Sequence, residues 1–127
     1  MPLTVLLVDD NPVQVATREA ILSHSGIKVL IAHHAGGALE LLENPDTARS
    51  IRLVITDHIM PGMNGPQFVT RLRQQFPSLP VLVLSGLPDA EPEYNGLGIV
   101  YRLKPIAPEE LIDLVQSLCD EPLGRTA

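Results

Sequence analysis

An α/β fold, with one parallel five-stranded sheet between layers of helix, follows from three features of this 127-residue sequence. Short apolar runs alternate along the whole chain with segments whose apolar residues recur at helical spacing, the pattern of a parallel sheet covered by helices. No linker, internal repeat or low-complexity tract interrupts the alternation. The length suits one ordinary domain, enough to bury roughly two thirds of its unfolded surface.

The first strand is "LTVLLVDD", which ends on Asp9 and Asp10. Asn11 then offers a side-chain cap and Pro12 takes the first helical position, so a helix is expected to run to about Ser25 and stop at Gly26. "IKVLIA", residues 27–32, is a second strand, placed at an edge because it carries Lys28. A second helix puts Ala35, Ala38, Leu39 and Leu42 on one stripe and ends before Asn44-Pro45. "IRLVITD", residues 51–57, is the third strand and again ends on a carboxylate. From about Pro66 to Phe76 a helix buries Phe68, Val69, Leu72 and Phe76, leaving Arg71, Arg73, Gln74 and Gln75 mostly to water. "PVLVLS" (80–85) and "IVYRL" (99–103) are strands four and five. A last helix opened by Pro108 buries Leu111, Leu114, Val115 and Leu118, with Ile112 and Cys119 flanking them. One domain is expected over residues 1–120, with a loose polar tail over 121–127.

Composition narrows the function. A net charge of -6 argues against a partner bound through its phosphate backbone, so no direct nucleic-acid contact is expected. One cysteine, Cys119, permits neither an internal disulfide nor a cysteine-built metal site. No basic segment precedes the first apolar run and no window approaches a membrane span, so a soluble, cytoplasmic protein with no membrane partner is expected.

The chemistry gathers at the strand ends. Asp9 and Asp10 follow strand one, Asp57 ends strand three, Ser85 strand four, and Lys104 follows strand five. In a parallel sheet these C-terminal ends share one edge, where open α/β sheets bind their ligands. Three carboxylates there repel one another by several kcal/mol at an effective dielectric near 20, which a divalent cation relieves. Hard oxygen donors with room for water suit Mg2+. Lysine, hydroxyl and Mg2+ together are the groups that neutralise a transferring phosphoryl group, and a carboxylate can be its nucleophile. Asp57, alone on its strand and facing the Asp9–Asp10 pair, is the candidate. Taken singly, each residue has a plainer reading: an acidic helix cap, a strand-end cap, a solvated lysine at a turn. Tyr101 alone reads as a half-buried sheet residue, and His24, His33, His34 and His58 lack metal-ligand spacing. The conjunction carries the case.

"LLVDDNP", "VITDHIMPGMNG", "VLVLSG" and "YRLKP" resemble the receiver domain of two-component response regulators, over about residues 4–119. The resemblance implies a flavodoxin-like, doubly wound sheet of order 2-1-3-4-5. It implies a phosphorelay switch, phosphorylated on Asp57 by a histidine kinase or histidine phosphotransfer protein and read by a downstream protein partner. Such a switch catalyses only its own phosphorylation and dephosphorylation. Asp10, Asp57 and the carbonyl of Ile59 would contact Mg2+, with Asp9 acting through water. Ser85 and Lys104 would bind phosphoryl oxygens, Tyr101 would move inward with Ser85, and the Lys104–Pro105 peptide would be cis. Ile59 and Leu87 would border the path of the hydrolytic water.

Two departures stand out: Gly86 replaces the usual alanine, and "SGLPDAEPEYNGLGI", residues 85–99, is poor in helix. Pro92 would break a helix opened at Pro88, and a later start leaves about one turn before Gly96. A short or irregular, mobile fourth segment is expected, with only Ala90, Tyr94 and Leu97 to pack. Two alternatives use the same residues: a metal-dependent aspartate-nucleophile phosphotransferase or phosphatase, and a receiver module cut from a hybrid histidine kinase. The first expects a general acid two residues after its nucleophile, where Ile59 stands.

Overall fold

The computed structural model describes residues 3–126, and the side chains of residues 3–119. The order of elements is β1 (Thr4–Val8), α1 (Pro12–His24), β2 (Lys28–Ala32), α2 (Ala35–Glu43), α3 (Pro45–Ser50), β3 (Ile51–Asp57), α4 (Gly65–Gln75), β4 (Val81–Ser85), a turn of 3-10 helix (Glu91–Tyr94), β5 (Val100–Leu103) and α5 (Pro108–Thr126). The expected loose tail over 121–127 falls outside the residues whose side chains are described.

All strand pairings are parallel, in the order β2-β1-β3-β4-β5. The strand carrying Lys28 is indeed at an edge. Side chains alternate across each strand, so two cores form. Leu6, Val8, Val54, Val81 and Val83 face one way, against Phe68, Val69 and Leu72 of α4 and Ala38 and Leu42 of α2. Val5, Leu7, Leu53, Ile55, Leu82 and Leu84 face the other, against Val15 and Leu22 of α1 and Leu111 and Val115 of α5. Cys119 lies within this second core and not at its flank.

Local chemistry sets the helix ends. Asn11 accepts from the backbone amides of Val13 and Gln14, and Gly26, at φ 79°, takes the left-handed turn after α1. Asn64 and Gln67 form a reciprocal capping box on α4. Asn44 closes α2 and caps α3, a short helix the sequence reading did not separate.

Two expectations need correction. Arg73 does not point to water: it donates to the carbonyls of Leu97, Gly98, Phe76 and Leu79. Those carbonyls sit in turns with no strand partner, and a planar guanidinium with five donors satisfies several at once. The segment between β4 and β5 is short and irregular as expected, yet it is anchored: Tyr94 and Ala90 are buried in the first core. Among the described residues no helix is long and apolar enough to cross a membrane.

Candidate functional site

Parallel pairing brings Val8, Asp57 and Ser85 to the same edge of the sheet, and the residues that follow each strand complete a cleft. Asp9, Asp10 and Asp57 each place a carboxylate oxygen within 4.8 Å of the others. Two unit charges about 5 Å apart repel by roughly 3 kcal/mol at an effective dielectric of 20, so three hard oxygen donors at this spacing fit a small divalent cation.

The three carboxylates are not equivalent. Asp9 is almost fully buried, Asp57 partly so, and Asp10 is exposed. Burial pushes the Asp9 carboxyl above its ordinary range, and Asp57 adds to this; the Asn11 amide, Lys104 and Arg18 oppose it. Asp9 Oδ1 accepts from the Asn11 amide at 2.9 Å and Oδ2 from Arg18 at 2.9 Å.

Asp57 Oδ1 accepts from Lys104 Nζ at 2.7 Å and from the His58 amide at 2.9 Å. The Lys104 amide donates to the Ser85 carbonyl, which ties the lysine to the end of β4, and the Lys104–Pro105 peptide is cis. Ser85 is buried at the end of β4, and its hydroxyl accepts from the Leu87 amide at 2.9 Å. Tyr101 is buried rather than half-exposed, and its hydroxyl donates to the Leu87 carbonyl. Ile59 and Leu87 stand at the rim, 63% and 45% exposed, and offer no side-chain hydrogen bond to solvent in the cleft.

Two further residues join the cleft that the sequence did not single out. Gln14 Oε1 accepts from Lys104 Nζ at 2.9 Å and from Arg18 at 3.1 Å, so a turn of α1 bridges the lysine to the buried aspartate. Their spacing of four residues was legible, but nothing in it says that this face of α1 meets the cleft. His58 is not a metal ligand candidate: it is buried, with Nδ1 at 2.6 Å from the Tyr94 hydroxyl. His34 caps α2 through Nδ1.

The family model for the response regulator receiver domain matches residues 5–116. The response regulator Rre1 of Synechocystis is 35% identical over 123 residues, covering 92% of this chain and 52% of that protein. The hydrogenase transcriptional regulatory protein HoxA of Cupriavidus necator is 34% identical over 118 residues, covering 89% of this chain and 23% of that protein. The chain spans about a fifth of the length of some of the curated relatives it matches and about half of that of others. A response regulator receiver protein from Pseudomonas putida superimposes with a TM-score of 0.82 at 30% identity, covering 92% of this chain and 98% of that one. A CheY-like receiver domain protein from Methanospirillum hungatei shares the fold, with a TM-score of 0.89 at 24% identity over 98% of this chain and 99% of that one.

Proposed function

The chain belongs to the response regulator receiver domain family, and from that premise we propose that residues 1–120 act as a switch whose phosphoacceptor is Asp57. The contact between Lys104 Nζ and Asp57 Oδ1, 2.7 Å long and beside two further carboxylates, is the observation that carries the assignment. The phosphoryl donor is a phosphohistidine on a histidine kinase or a histidine phosphotransfer protein.

A carboxylate oxygen of Asp57 attacks phosphorus, the P–N bond to the donor imidazole breaks, and the departing ring takes up a proton. Asp10, Asp57 and the Ile59 carbonyl would hold Mg2+, with Asp9 assisting through water. When bound, the ion neutralises charge on the transferring phosphoryl oxygens. Lys104 then exchanges its pairing with Asp57 for a phosphoryl oxygen, an electrostatic contribution that costs little rearrangement because its backbone is already held by Ser85. The Ser85 hydroxyl leaves the Leu87 amide to bond a second phosphoryl oxygen, and Tyr101, bonded to the Leu87 carbonyl, carries that change to the segment before β5. A protein partner reads the surface so altered. Such exchange belongs in the cytoplasm.

Incubation with acetyl phosphate and Mg2+, followed by intact-mass measurement, tests this reading. Wild type should gain one phosphoryl group and Asp57→Asn none. Equal incorporation in both rejects Asp57.

A further inference from the structure

The cleft holds a second cation besides Lys104. Arg18 lies nearly two turns into α1, its side chain 11% exposed, and bonds Oδ2 of an Asp9 side chain that is 1% exposed. Three carboxylates facing two cations leave the cleft with one net negative charge before any ion enters. Gln14 ties the cations together, since its one side-chain oxygen accepts from both. A hydrogen-bonded path therefore runs from Asp57 through Lys104, Gln14 and Arg18 to Asp9.

We propose that Arg18 is a resident counter-cation for Asp9 that weakens the cleft's hold on a divalent metal, and that Gln14 is a positioning residue that keeps Lys104 aimed at Asp57. The inference rests on the reading of this cleft as a metal-assisted phosphoryl site.

The electrostatics give it a sign that a purely structural role would not. A paired, desolvated Asp9 offers a metal less uncompensated charge than a free one, and a guanidinium fixed nearby repels a dication directly. Losing a structural support would loosen the ligand geometry and weaken metal binding. Losing a counter-cation strengthens it. Gln14 acts on the other limb: a lysine ammonium is a compact charge on a flexible stem, so without its second acceptor it samples positions away from Asp57.

Calorimetric titration with Mg2+ alone, on the full chain, separates these roles. Arg18→Met should lower the Mg2+ Kd at least threefold, while Arg18→Lys, which keeps the charge, should stay nearer to wild type. Should Arg18→Met fail to fold, Arg18→Gln removes the same charge and carries the same expectation. Gln14→Met should slow phosphoryl uptake from acetyl phosphate several-fold at saturating Mg2+. An Mg2+ Kd in the charge-removed Arg18 variant equal to or above that of wild type overturns the counter-cation. An uptake rate in Gln14→Met equal to that of wild type overturns the positioning. A wild type that binds no Mg2+ and takes up no phosphoryl group overturns the functional reading itself.

Discussion

The Tyr94 hydroxyl lies 2.6 Å from Nδ1 of His58, joining two buried side chains 36 residues apart. One belongs to the loop that follows Asp57 and the other to the 3-10 turn that stands where a longer helix could be. The Tyr94 ring also lies 5.9 Å from that of Tyr101. The hydroxyl fits there because residue 65 is glycine: a Cβ at Gly65 would sit 2.0 Å from it. The Tyr94 phenol in this notch thus anchors the middle of a segment too rich in proline to build a helix, alongside buried Ala90 and the Arg73 bonds to Leu97 and Gly98.

Tyr94→Phe should therefore destabilise the fold by about 1–3 kcal/mol, the cost of leaving a buried polar atom, here His58 Nδ1, without its partner. Urea unfolding measures it, and hydrogen exchange should show faster exchange at the Glu93, Asn95 and Leu97 amides, which bond only within this turn.

Gly65→Ala should cost roughly 1–3 kcal/mol by overpacking the same notch. The penalty should be smaller in a Tyr94→Phe background, where the clashing oxygen is gone. A double-mutant cycle checks the coupling, which strict additivity would contradict.

The strands, their order along the chain and the polar residues at their ends were legible because burial on both faces writes apolar runs and because Asp, Ser and Lys at four run ends are conspicuous. Lys28 marked an edge for the same reason: a buried central strand has no room for a solvated ammonium. What stayed hidden depended on packing angles. Gln14 and Arg18 are ordinary polar residues on α1 until the helix is docked, and only then do they face Lys104 and Asp9. Arg73 read as a surface residue because helical periodicity cannot foresee unpartnered carbonyls in a distant turn. His58 read as bland because the question asked of it was metal ligation, and its actual partner, a tyrosine hydroxyl, leaves no spacing signal. Tyr94 was named as a packing residue, but its hydrogen bond, and with it the anchoring of the segment, was not foreseen.

Asp9 carries a pH dependence. Burial holds its carboxyl above the ordinary value of 3.8, so the folded chain keeps this proton to higher pH than the unfolded chain does. Its contribution therefore falls as pH rises through that interval, and the penalty is fully present at neutral pH. In EDTA at neutral pH, Asp9→Asn should raise the unfolding midpoint, and the gain should shrink as pH is lowered toward 3.8. A gain that grows on acidification would contradict the assignment of burial as the dominant cause.

Lifetime of the phosphorylated form follows from the rim. Hydrolysis needs a water held in line with the bond to Asp57, and neither Ile59 nor Leu87 can orient one by a hydrogen bond. Slow self-dephosphorylation is expected. Ile59→Asn should shorten the lifetime several-fold in a phosphate-release assay.

Borohydride reduction of the phosphorylated chain tests the central assignment most directly, because it converts an aspartyl phosphate to homoserine and leaves free carboxylates intact. Peptide mass spectrometry after treatment with acetyl phosphate and Mg2+ should find homoserine at position 57 and nowhere else. Homoserine at position 9 or 10, with aspartate retained at 57, would contradict it.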